Sequence, residues 1–87
     1  MQEVLNLFSI DNQQQHIINY VKNRLIECIP KDDIISAIAI TNCAVGATGI
    51  SAKNFDLHFI EKLAIQNDHN DFALSFIGCC NALHYFD

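Results

Sequence analysis

Four cysteines and four histidines are the side chains in this sequence best suited to metal binding or nucleophilic chemistry. Cys79, Cys80 and His84 lie nearest one another in the chain. Cys80 and His84 are four residues apart, so a helix would put both on one face. That spacing suits two ligands of a metal ion, with His58 or His69 as a further donor. Structural zinc sites draw paired ligands, two to four residues apart, from two separate clusters. The sequence offers no second cluster, so packed thiols beside a surface histidine are the expectation, in keeping with the burial typical of free cysteine. Catalysis by a cysteine needs a histidine beside it and a depressed pKa, and no spacing here specifies such a pair. Cys79 and Cys80, being adjacent, are poorly placed to bridge each other. With Cys28 and Cys43 they are expected to be reduced, as thiols are in the cytosol, and buried as small apolar residues.

Two loops and one acid pair invite other chemistry. Gly46-Ala47-Thr48-Gly49-Ile50-Ser51 superficially resembles the glycine-rich turn of short-chain dehydrogenases, where amides at a helix N-terminus hold phosphate. That fingerprint needs three glycines in a βαβ unit and an acid about 20 residues further on. Only two glycines are present and the remaining chain is too short to supply the sheet. A tight turn between helices is expected instead. Asn67-Asp68-His69-Asn70-Asp71 gathers oxygen donors as a calcium loop does. It lacks the central glycine, however, and position 12 counted from Asp68 is Cys79 where that loop needs a glutamate. A capped turn is expected there. Asp32 and Asp33 are accounted for by the positive end of a helix dipole. No enzymatic activity and no cofactor are expected.

These residues must be positioned by helices. Val4, Leu5, Leu7, Phe8 and Ile10 fit a short helix or a short strand over residues 3–10. Asp11, with Gln14 three positions on, has the form of a capping box opening a second helix. Ile17, Ile18, Val21, Leu25, Cys28 and Ile29 recur at intervals of three and four, predicting a helix over 12–29 that Pro30 ends. Residues 32–44 are apolar nearly all round, so their helix is expected at the centre of the fold. Gly46 is expected to close it in the left-handed conformation. Ser51 or Asn54 is expected to cap a helix over 52–66. A last helix over 71–85 carries Phe72, Phe76, Cys79, Cys80 and Leu83 along one side, with Gly78 marking close approach of a neighbouring backbone. The fold class read from this pattern is all-α, a bundle of four to five short helices in one domain, 1–87. An α+β alternative treats 34–45 and 55–60 as strands, since short apolar runs fit either period.

Composition narrows the function. Hydrophobic residues make up 51 % of the 87 and charged residues 17 %, against about 25 % charged in typical domains. Disorder is thereby excluded. A formal net charge of −5 argues against direct nucleic-acid binding, and no apolar run approaches the roughly 20 residues that span a bilayer. The opening Met1-Gln2-Glu3 is acidic where a secretory signal is basic, so the cytoplasm is the expected location. A chain this apolar and this small leaves apolar surface outside its core, and self-association as a homodimer is expected. Lys22, Arg24 and Lys31 fall in the first half, while no lysine or arginine follows Lys62. Asp68, Asp71, Tyr85, Phe86 and Asp87 are therefore the expected partner-binding residues, acids and aromatics facing a basic protein. The expected function is a non-enzymatic binding protein of inhibitor or immunity type. Phage-encoded inhibitors of host nucleic-acid-handling defence proteins share its small size and acidity. The alternatives are a metal- or ligand-binding regulator using Cys79, Cys80 and His84, or a structural subunit of a larger complex.

Overall fold

Helix α1 runs without interruption over Gln2–Cys28. The computed structural model describes residues 2–86, with side chains from Gln13 to Phe86. Segments expected as 3–10 and 12–29 are thus one helix, and the backbone passes through Asp11 in helical form. The polar run 11–15 contains three glutamines, which are good helix formers. Each amide there bonds to the carbonyl four residues back, so no side-chain cap is required. Pro30 follows the end of α1, as the sequence indicates.

Helix α2 spans Ile34–Thr48 and opens on Asp33, whose carboxylate accepts the Ser36 backbone N–H at 3.1 Å. Gly46 does not close it. The helix continues three residues further to Gly49, which takes the left-handed conformation at φ 71° and donates its N–H to the Val45 carbonyl at 3.0 Å. Thr48 reinforces this end by donating its hydroxyl to the Ala44 carbonyl and accepting the Ile50 N–H.

The segment expected as one helix over 52–66 is broken. A 3-10 turn occupies Ala52–Phe55, Asp56 lies at φ 57°, and helix α3 covers Leu57–Gln66. The reason is geometric. Phe55 and Leu57 are both buried, yet two residues on one α-helix point about 200° apart. A left-handed residue between them turns both inward. Neither Ser51 nor Asn54 supplies a side-chain cap here: Ser51 precedes the 3-10 turn without such a bond, and Asn54 lies within it.

Helix α4 covers Asn70–Ala82 and ends three residues short of Tyr85. Gly78 is exposed, with nothing within 4 Å of where a Cβ would stand, so no neighbouring backbone approaches it. No strand occurs among the described residues. The fold is all-α, and the strand alternative for 34–45 and 55–60 does not hold.

Leu25, Thr41, Phe55, Ile60, Phe72, Phe76 and Cys80 are the largest fully enclosed side chains, and α1, the 3-10 turn, α3 and α4 contribute all of them but Thr41. The Phe72 and Phe76 rings lie 5.8 Å apart, one helical turn along α4. Helix α2 is the least enclosed of these elements rather than the central one. It buries only Ala37 and Thr41 completely, and Ile35 is 84 % exposed. Bulky side chains from the other elements fill the interior, and the larger α2 side chains Ile34, Ile38, Ile40 and Val45 pack against its margin while staying partly exposed.

Candidate functional site

Three helices end in the same way. In α1 the Asp33 N–H bonds to the Cys28 carbonyl and the Asp32 N–H to that of Ile29. In α3 the corresponding pairs are His69 with Ala64 and Asp68 with Ile65, and in α4 they are Tyr85 with Cys80 and His84 with Asn81. Each is a Schellman turn, whose inner residue must be left-handed. Those residues are Asp32, Asp68 and His84, at φ 50°, 63° and 61°. Glycine adopts this conformation freely, whereas other residues meet a steric cost of about 1–2 kcal/mol that Asp and Asn bear best.

Two of these turns meet. His69 Nδ1 lies 2.9 Å from Asp32 Oδ1, joining the α1–α2 connection to the α3–α4 connection across 37 positions of sequence. Around this contact Asp32, Asp68, Asp71, Asn70 and His69 line a cleft of about 420 Å³, floored by Ile34 and Phe72. All three aspartates are exposed. Asp71 sits in the first turn of α4, where a carboxylate is favoured by the helix dipole. Asp33 adds a fourth acid nearby. The side chain and backbone of Ser36 hydrogen-bond to its carboxylate and hold its pKa below the usual carboxylate value. Lys31, exposed beside Asp32, is the cation of this end.

The expected partner-binding residues thus separate into two groups. Asp68 and Asp71 share the acidic cleft. Tyr85 and Phe86 lie beyond the opposite end of α4, whose 13 residues span about 20 Å. Tyr85 donates its hydroxyl to Asn42 Oδ1 on α2. Phe86 stacks on His58 with ring centroids 4.3 Å apart, and both aromatics border a smaller cleft with Lys53, Asp56 and Leu57. Asp87 lies outside the described residues. Phe72 and Phe76, on the intervening helix, are core side chains. Asp32 was legible only as a capping acid; nothing in the local sequence pairs it with His69.

The basic residues of the first half are largely engaged. Lys22 bonds to Asp56 at 3.2 Å and stands 4.3 Å above the Phe59 ring, while Arg24 pairs with Glu27 at 3.4 Å. Lys22 and Arg24 are taken up by these pairs, and of the three only Lys31 adjoins the acidic end.

The thiols, all four expected to be buried, divide into two buried and two exposed. Cys28 and Cys80 are enclosed; Cys43 and Cys79 face outward. All four are free. Burial pushes the Cys80 thiol up to about 12, with the neighbouring Cys79 adding to the effect. Cys28 is raised by burial first and by Asp33 second. Cys79 and Cys80 therefore point to different surroundings. Among the described residues no group of three or more His, Cys, Asp or Glu side chains is placed to hold a metal ion. No helix among the described residues is long and apolar enough to cross a membrane. Compared with models of protein families, with curated proteins and with solved structures, the chain matches none.

Proposed function

We propose that this protein acts in the cytoplasm by binding other proteins, without catalysing a reaction, and that its acidic end covers a basic surface of its partner in the manner of an inhibitor or immunity protein. The observation that carries this reading is the placement of Asp32 and Asp68. Each holds a left-handed position that glycine would occupy at lower cost, and both open onto the cleft that Asp71 completes. Backbone cost retained at an exposed cluster of one charge is the pattern of a surface kept for recognition. A negative surface also speeds encounter with a basic partner, an effect that salt weakens. Self-association belongs to the same reading, because exposed Ile35, Tyr20 and Leu74 leave apolar surface outside the core.

The test replaces Asp32, Asp68 and Asp71 together by asparagine, which removes three charges and still tolerates the left-handed backbone. Tagged wild-type protein should retain a basic partner from native extract at low salt and release it as salt rises. The triple variant should fold normally, by circular dichroism, and retain at least tenfold less of that partner. Equal retention with an unchanged salt dependence would remove the acidic cleft from the binding surface.

A further inference from the structure

The outward face of α2 carries a second surface of a different kind. Ile35, Ala39, Cys43 and Gly46 are all exposed and recur at intervals of three and four, so they form one stripe along the helix, bordered by Asn42, which Tyr85 engages. Ile35 is 84 % exposed, more than any other large apolar side chain described. Beside the stripe, Ile17, Tyr20, Val21, Arg24, Ile40, Cys43 and Ala44 line an apolar groove of about 360 Å³ between α1 and α2. From Ile34 to Ala52 the chain contains no Asp, Glu, Lys or Arg.

We infer that this face binds a second copy of the same chain, with the two α2 helices packed antiparallel about a twofold axis. The inference rests on the self-association in the reading above and gives it a location. Charge selects the occupant. Two copies each carrying −5 repel wherever acidic surface meets acidic surface, and the α2 stripe is a surface on which they can meet without opposing like charges. A basic partner would gain no ion pair there. Shape agrees with twofold symmetry, in which one patch must complement itself. The bulky Ile35 lies at one end of the stripe, and small Gly46 and Ala47 lie at the other. Antiparallel pairing therefore sets each Ile35 against the partner's glycine and alanine, and brings Ala39 opposite the partner's Cys43. Small residues at these positions permit close approach of the two helices.

Sedimentation equilibrium over a wide concentration range tests this with three variants. Ile35→Glu and Gly46→Arg place charge at the two ends of the stripe; Ile35 is solvated and a Cβ at Gly46 meets nothing within 4 Å, so both should fold. Leu74→Glu is the control, since Leu74 is 74 % exposed on a different helix, α4. The expected result is a dimer for wild type and for Leu74→Glu, and dimerisation at least tenfold weaker for each α2 variant. A wild-type monomer at every concentration would overturn both the interface and the self-association it rests on. A dimer that only Leu74→Glu disrupts, or that neither α2 variant weakens, would overturn the interface alone. Monomeric wild type that captures a foreign protein through an Ile35-dependent contact would assign the face to another occupant and overturn the inference.

Discussion

Burial has separated four chemically identical side chains into two populations. Cys43 and Cys79 are exposed, whereas Cys28 and Cys80 are enclosed and have raised pKa values. Because the thiolate is the reactive form, Ellman's reagent should modify Cys79 rapidly at every concentration, Cys43 rapidly in the dilute monomer and more slowly as the dimer forms, and the other two only on unfolding. The Cys43→Ser and Cys79→Ser variants should each remove one fast equivalent under monomeric conditions. The raised pKa values also give stability a pH dependence of definite sign. A thiol that is harder to ionise in the folded chain contributes fully below its unfolded value of 9.0, and that contribution is lost as pH rises toward 12. Urea denaturation should therefore show falling stability above about pH 9, less steeply in Cys80→Ala. Asp33 acts at the other extreme. Its carboxylate is held below 3.8 by Ser36, so its contribution is present above that pH and disappears as acid protonates it.

Helix ends show which stop signals this chain uses. Of the three glycines, Gly49 alone occupies a left-handed position; Gly46 and Gly78 are interior helical residues with open space around them. Alanine at 46 or 78 should stabilise the protein by about 1 kcal/mol each, the difference in helix propensity. At 49 alanine should destabilise it by about 1–2 kcal/mol, because its Cβ meets the following carbonyl in that conformation. Thermal unfolding of the three single variants distinguishes these signs. By the same argument Asp68→Gly should raise the melting temperature while weakening partner binding, a trade expected where a surface is kept for recognition. Gly46 resembles a C-cap because it is a glycine after an apolar run, which is why the expected stop falls there. The three Schellman turns carry no glycine signal, their inner residues being Asp32, Asp68 and His84.

At the scale of the whole molecule, stability is concentrated in one group of large side chains. Phe76→Ala should cost about 3–5 kcal/mol, the range for deleting a buried phenylalanine. That is a large share of the total for a domain whose stability is about 0.05–0.15 kcal/mol per residue. Leu74→Ala, two residues away and exposed, should change the urea midpoint little. Much of this architecture was legible from residue type and spacing: the all-α class, the periodic face of Ile17 to Ile29, the stop at Pro30 and the capping role of Asp33. These follow from interactions within a few turns of one helix, and local sequence records them directly. Packing alone decided the rest. Helix α2 is apolar on every side, so no periodicity could mark which face would be buried, and it became an outer helix once larger side chains filled the centre. The break at Asp56 arose because Phe55 and Leu57 both had to enter that centre. The acidic end required Asp32 and His69 to meet from connections 37 residues apart, a proximity that exists only after the helices have packed.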